Sequence, residues 1–369
     1  MATTVRKLLC LGKFRREDRL ALAEAGRQAA FETEFADAGR ESIKLLDTHG
    51  ADAVTVDDSD SARDLCLDAR ARSQHAQIPI LSIRRDLDDL SFADVFSWGG
   101  DDALELGETH ALVARLRGLP ATPPAPPAQG RGAALIVDGD RTRRTVLGRV
   151  LRNAGYSIDF AVDADEARGR VKQHGPKLVV ASSDVGGSPV TLLEAARAGG
   201  SAATWIVTCP PKDLSASRAP IEALGNATVT DGFAPAENVV FLVNELERGG
   251  AQDKRSSRRL LYGTTIAFRG AGRDHDDHGF SYNVSLGGLY VRTLAPPEDD
   301  VVWIELRPPR CERRIRLEGR VVWRRKFGPS GAATVPPGFG VALLDASKRD
   351  LVAWQEGYSV FATALGFPV

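Results

Sequence analysis

The sequence predicts a multidomain protein in which two α/β domains precede an all-β barrel that ends in a helix. Short apolar runs alternate with helical segments in the first third of the chain, and the same alternation returns after a proline-rich stretch, which favours two parallel sheets covered by helices. Further on, strands follow one another with only turn-rich stretches between them, which is typical of a small antiparallel barrel. The expected domains are 1–118, 133–249 and 252–369, with residues 119–132 as a linker.

Composition describes an ordinary globular chain. The length of 369 residues suits two or three domains, and 43% apolar with 26% charged residues is a usual balance. A formal net charge of −1 gives no overall reason to expect a nucleic acid or an anionic membrane as partner. No stretch approaches the roughly 20 apolar residues that cross a bilayer, so membrane insertion is not expected.

Cysteine usage points to a reducing compartment. The four cysteines lie far apart and lack C-x-x-C spacing, so neither a zinc site nor a disulfide framework is predicted. We therefore expect a cytoplasmic protein without a bound metal. The polar run 273–278, which holds two histidines and three aspartates, is interpreted as a solvated hairpin loop rather than a metal cluster.

The first domain begins with a strand at 7–11 and ends with a helix at 109–117. Its order of strands and helices resembles the receiver domain of response regulators, which implies a flavodoxin-like topology. The resemblance places Asp57 at the phosphoacceptor position and offers Ser82 as the hydroxyl. It also shows what is missing, because Leu11-Gly12-Lys13 replaces the acidic pair that holds Mg²⁺, and Leu106 stands where a lysine belongs.

The second domain resembles a receiver that has lost different groups. Asp138 and Asp140 partly keep the acidic pair and Thr208 keeps the hydroxyl. Ser182 aligns with the phosphoacceptor, Asp184 lies two residues later, and alanine at position 234 replaces the lysine. Asp57 and Asp184 remain candidate phosphoacceptors, but the losses argue against a phosphorelay. Both domains are better interpreted as docking modules for unidentified protein partners or for a second copy of the chain in a homodimer.

The linker 119–132 is rich in proline, which favours an extended and semi-rigid spacer. The domains on either side of it are not required to touch.

The barrel region carries two motifs that belong together. Arg255 and Arg259 form an R-x-x-x-R pattern, and an N-x-S-x-x-G pattern follows before a strand, at Asn283, Ser285 and Gly288. This combination resembles the PilZ family, which implies a barrel that binds cyclic di-GMP. Arg258 and Gly287 are the further ligand-binding candidates. Lys254 and Arg258 share the spacing of the arginine pair, but Leu260 favours Arg255 and Arg259 because the family has an aliphatic residue there.

The chemistry of the two motifs suits such a ligand. A planar guanidinium matches the two acceptors on one edge of guanine, and its remaining donors suit phosphate. The glycines are expected to admit a close ligand and to allow positive φ in a turn, while Asn283 shapes that turn.

The sequence thus predicts a non-enzymatic effector or adaptor that converts cyclic di-GMP binding at the barrel into reorientation of its domains. Four cations within residues 254–259 repel one another, so this segment is expected to fold onto the barrel when ligand neutralises it. Two alternatives stay open. One is a scaffold that has lost its ligand, and the other is a response regulator that depends on phosphorylation.

Overall fold

Three sheets organise the protein. The structure, a computed structural model, describes residues 5–72, 74–121, 130–186, 188–232, 234–248, 257–328 and 335–367. Two of the sheets are parallel and five-stranded, and the third is an antiparallel barrel. The predicted fold class is therefore confirmed.

The first α/β unit has the strand order β2-β1-β3-β4-β5, which is the flavodoxin-like order. Its elements are β1 (Arg6–Leu11), α1 (Arg16–Gln28), β2 (Phe31–Ala36), α2 (Arg40–His49), β3 (Ala53–Val56), α3 (Asp60–Ala71), β4 (Ile80–Arg84), α4 (Asp89–Ser97), β5 (Asp102–Glu105) and α5 (Thr109–Gly118). The central strands β1 and β3 are apolar because helices cover both faces of the sheet. Caps mark the helix starts, since the side chains of Ser59 and Asp88 accept backbone N–H bonds at α3 and α4.

The second α/β unit repeats this order as β7-β6-β8-β9-β10. Its elements are β6 (Gly132–Val137), α6 (Arg141–Asn153), β7 (Tyr156–Ala161), α7 (Ala164–His174), β8 (Leu178–Ser182), α8 (Pro189–Ala198), β9 (Thr204–Cys209), α9 (Leu214–Glu222), β10 (Ala227–Asp231) and α10 (Glu237–Arg248). Sequence reasoning missed β2, α2, α4, α8 and α9. The strand β2 shows why, because its alternating polar residues occupy an edge position and give no continuous apolar run.

The barrel consists of β11 (Leu260–Leu261), β12 (Thr265–Gly270), β13 (Asp277–Ser285), β14 (Gly288–Arg292), β15 (Val301–Leu306), β16 (Ile315–Arg325) and β17 (Gly338–Ala346), followed by α11 (Lys348–Ala364). Pairing of β14 with both β13 and β17 closes the ring. Strands β13 and β14 form a hairpin that carries the second motif, and residues 262–264 separate β11 from β12. Trp354 and Tyr358 of α11 are buried in the barrel core.

The two α/β units pack directly against each other. The buried carboxylate of Asp101 accepts hydrogen bonds from Arg70 of the first unit at 2.7 Å and from Arg149 of α6 at 2.8 Å. Burial alone would raise the pKa of Asp101, but the guanidinium groups of Arg149 and Arg70 outweigh it and hold that pKa below its ordinary value. The linker therefore does not keep the units apart.

The barrel also docks on the first unit through a buried arginine. Arg115 of α5 donates to Asp102 at 3.1 Å and to Asp277 of the barrel at 2.5 Å, and all three side chains are largely buried. Phe280 of β13 lies beside Phe92 of α4, with ring centroids 5.4 Å apart. The expected solvated loop at 273–278 is therefore wrong at its end, because Asp277 begins β13 and faces α5.

We expect Arg115→Ala to destabilise the protein by about 3–5 kcal/mol, because it leaves the Asp102 carboxylate buried without its cation. Arg117→Ala is the matched control, since Arg117 is an exposed arginine on the same helix that donates to the carbonyl of Gln28 at 2.9 Å. Its cost should stay within about 0.5 kcal/mol. Urea denaturation of both variants measures the difference, and equal small losses would contradict a bridging role for Arg115.

Candidate functional site

The barrel brings the two motifs side by side. Residues 254–259 are called the basic segment. Leu260 pairs with Val284 and Leu261 with Asn283, so the short strand β11 extends the sheet directly after this segment. The hydroxyl oxygen of Ser257 accepts a hydrogen bond from the backbone N–H of Leu286 at 3.1 Å. The described part of the basic segment therefore lies against the hairpin that carries the second motif. Arg255 lies outside the described residues.

The hairpin tip is held by its own side chains and by α11. Ser285 pairs with Gly288, and its hydroxyl donates to the carbonyl of Gly288 at 3.1 Å. The indole N–H of Trp354 donates to the carbonyl of Leu286 at 3.0 Å. Asn283 is buried within β13. The tip is thus preorganised on the rigid part of the barrel.

The described part of the basic segment is anchored by its backbone, and Arg258 and Arg259 are exposed residues. The phenol of Tyr358 donates to the carbonyl of Arg258 at 2.7 Å, and burial raises the pKa of this phenol above its ordinary value. The guanidinium of Arg258 lies over the Phe367 ring, 4.0 Å from its centroid. Arg258 and Arg259 are both exposed, so both can reach a ligand in solvent.

The two glycines of the hairpin have different physical roles. A Cβ at Gly288 would lie 2.0 Å from the carbonyl oxygen of Val341 on β17, whereas a Cβ at Gly287 would meet nothing within 4 Å. Neither glycine has positive φ, so that expectation was wrong. Gly288 is required by the close approach of two strands, and only Gly287 offers open backbone to a ligand.

A cleft of about 510 Å³ separates the basic segment from the second α/β unit. Arg258 and Arg259 line one side of it, and α9, β10 and α10 supply residues on the other. The described hairpin residues from Asn283 to Gly288 are not part of its lining. The arginines therefore stand between two surfaces, the motif hairpin and the second unit, and sequence reasoning gave no sign of this cleft.

Asp57 follows β3, where the receiver resemblance places a phosphoacceptor, and its carboxylate is already engaged. It accepts hydrogen bonds from the backbone N–H of Lys13 at 2.8 Å and from the hydroxyl of Ser59 at 2.6 Å. A Cβ at Gly12 would lie 2.5 Å from the Asp57 carboxyl carbon, so the loop after β1 closes over this group. The Ser82 hydroxyl, buried in β4, accepts a hydrogen bond from Arg84 at 3.1 Å.

In the second unit, Arg143 lies beside the acidic residues Asp138 and Asp184. The sequence analysis did not single out this arginine. Arg143 donates to Asp138 at 2.8 and 3.0 Å and to Asp184 at 3.3 Å, so one guanidinium joins both carboxylates. The hydrogen bond to Asp138 raises the pKa of Arg143. Asp140 caps α6 by accepting the backbone N–H of Arg143. The signal was available, because Arg143 lies five residues after Asp138, within the first turn of the helix.

Among the described residues, no group of three or more histidine, cysteine or acidic side chains is arranged to hold a metal ion. Each helix in the described ranges is too short or too polar to cross a membrane.

Comparison with known families decides the identity of the barrel. The family model of the PilZ domain matches residues 253–356. The chain carries a PilZ domain. It lies after two receiver-like α/β units, and the resemblance of the arginine and hairpin motifs to this family is thereby confirmed at the level of the domain.

Solved structures with similarity to parts of the chain include two response regulators and a PilZ domain. A putative response regulator from Chloroflexus aurantiacus J-10-fl is 22% identical over 31% of this chain and 97% of its own, with a TM-score of 0.29. The chemotaxis response regulator CheY4 of Vibrio cholerae is 19% identical over 32% and 100%, with a TM-score of 0.29. The PilZ domain of CeSA from a cellulose-synthesizing bacterium is 16% identical over 30% and 97%, with a TM-score of 0.19. A comparison with curated proteins found no match.

We expect Gly288→Ala to destabilise the protein by at least about 1–3 kcal/mol, because the added methyl group forces the backbones of β14 and β17 apart. Gly287→Ala, one residue away and with open space around it, should change stability by less than about 0.5 kcal/mol. Thermal unfolding of the two variants, followed by circular dichroism, tests the difference. A Gly288→Ala protein as stable as the Gly287→Ala protein would contradict the close approach.

Proposed function

We propose that this protein is a cytoplasmic effector that binds cyclic di-GMP at its PilZ domain and acts through a change in domain packing rather than through catalysis. The division of the chain into 1–118, 133–249 and 252–369, joined by the linker 119–132, is part of this proposal. The hydrogen bond between Ser257 and Leu286 is the observation that carries it, because this contact holds the basic segment against the motif hairpin.

The site supplies the donors that the ligand needs. The exposed guanidinium groups of Arg258 and Arg259 can reach guanine edges and phosphates, and Arg255 is proposed as the other reader of guanine. Ser285 and the open backbone at Gly287 are the proposed contacts from the hairpin. Asn283 and Gly288 support it by packing, since the first is buried and the second lies against β17.

The cleft suggests how binding would be transmitted. Arg258 and Arg259 line it opposite α10, and the basic segment follows α10 in the chain. A ligand that draws these guanidinium groups onto the hairpin removes them from the surface facing the second unit. We propose that this exchange alters the packing of the second unit against the barrel, and that the altered packing is the output.

Partner proteins would meet a restricted surface. The barrel covers parts of α4 and α5 of the first unit, through Phe280 against Phe92 and Asp277 against Arg115. We propose that a partner, or a second copy of the chain, docks on other faces of the receiver-like units.

We expect the full chain to bind cyclic di-GMP, and Arg255→Ala or Arg259→Ala to weaken binding by at least about 1–3 kcal/mol, as for other bidentate contacts to guanine. Ser285→Ala should weaken it less, because one neutral hydrogen bond contributes about 0.5–1.5 kcal/mol. Isothermal titration calorimetry of the wild type and the three variants measures these losses.

Arg316→Ala is the matched control, since Arg316 is a highly exposed arginine of β16 whose side chain pairs with Glu305. Its affinity should equal that of the wild type. Unchanged affinity in either variant of the arginine pair would overturn the assignment of that arginine. A wild type that shows no binding at micromolar ligand would instead support the scaffold alternative.

A further inference from the structure

A small cavity lies where all three units meet. It has a volume of about 60 Å³, and its lining comes from α6 and α10 of the second unit, from the first unit, and from β13, β14 and β16 of the barrel. The charged residues in the lining are Asp101, Arg149, Glu237, Arg292 and Arg325. This cavity is separate from the basic segment, because neither Arg258 nor Arg259 contributes to it.

Three arginines that line this cavity carry nitrogen atoms without a hydrogen-bond partner, and the guanidinium of one of them, Arg292, also lies over the Phe96 ring at 3.3 Å from its centroid. Buried nitrogen atoms without a hydrogen-bond partner among the described residues are Nε of Arg149, Nε and Nη1 of Arg292, and Nε of Arg325. Arg149 is only 6% exposed and Arg292 only 4%. Buried guanidinium donors are costly to leave unpaired, so the presence of three such arginines around one cavity points to a missing acceptor.

The charges at the junction do not balance. Asp101 is shared by Arg70 and Arg149, while Glu237 pairs with Arg292 at 2.9 Å. The Nη2 group of Arg325 is bound to the carbonyl of Gly328 at 3.0 Å, which supplies no charge. The junction therefore holds four guanidinium groups but only these two carboxylates, and its excess charge is positive.

We propose that this junction binds a compact oxyanion of the phosphate class. Such an anion offers several acceptor oxygens in a small volume and pairs well with planar guanidinium donors. The volume of the cavity also fits such an anion. One water needs roughly 10–15 Å³ of water-accessible space, so the cavity has room for about four waters or one tetrahedral anion. Since residues of all three units line the cavity, the bound anion would stabilise their packed arrangement.

The test is titration of inorganic phosphate into the full chain at constant ionic strength, by calorimetry and by thermal unfolding. We expect saturable binding at low millimolar phosphate or below, with a matching rise in Tm. Arg325→Gln, which removes a charged donor from the half-buried rim, should weaken phosphate binding by about tenfold or more. Arg292→Lys keeps the charge but loses the planar donors, so it should also weaken binding.

Two controls separate this site from general effects. Lys326→Gln makes the same change in charge one residue later at an exposed position, so it reports any nonspecific stabilisation by phosphate. Arg259→Ala reports binding at the basic segment of the PilZ domain. Both variants should bind phosphate as the wild type does. Absence of saturable binding in the wild type, or equal losses in Arg325→Gln and Lys326→Gln, would overturn the proposal, and a loss confined to Arg259→Ala would move the anion to the other site.

Discussion

Arginine–carboxylate pairs buried between the units are the interaction on which this architecture depends. Arg115 joins Asp102 to Asp277 and thereby fixes the barrel on the first unit. Asp101 joins Arg70 to Arg149 and fixes the second unit on the first. A buried charge is stable only when its partner is in place, so these ion pairs tolerate little change in their geometry. They define one arrangement of three units, and the candidate ligand site is built on that arrangement.

The predictable part of the structure was the part encoded locally. Alternation of apolar runs identified both receiver-like sheets, and the strand-rich end identified the barrel, because these patterns depend on residues close together in the chain. The interfaces between the units were not predicted, because the residues that form them are far apart in the chain. Arg115 and Asp277 are separated by 162 positions, and neither residue type signals burial by itself. Nothing in the sequence around Phe280 indicates that its ring packs on α4.

The candidate site was predictable to a similar extent. The hairpin residues and Arg258–Arg259 lie together, as the motifs required, while Arg255 lies outside the described residues. The positive φ expected at Gly288 is absent, and the steric constraint there comes from Val341 on a strand distant in sequence. The cleft facing α10 was also invisible, because it exists only through the packing of separate units. Sequence motifs thus named the chemistry, and tertiary contacts supplied its surroundings.

The contact between Arg143 and the acidic edge of the second unit has a consequence for how this unit responds to its surroundings. A bound divalent ion dissociates and rebinds as the concentration of that ion changes, whereas a side chain is covalently attached and keeps a constant local concentration. The Asp138 carboxylate therefore has a cationic partner within its own chain. The acidic side chains of the second unit thus carry a countercharge that moves only with α6, the helix that bears Arg143.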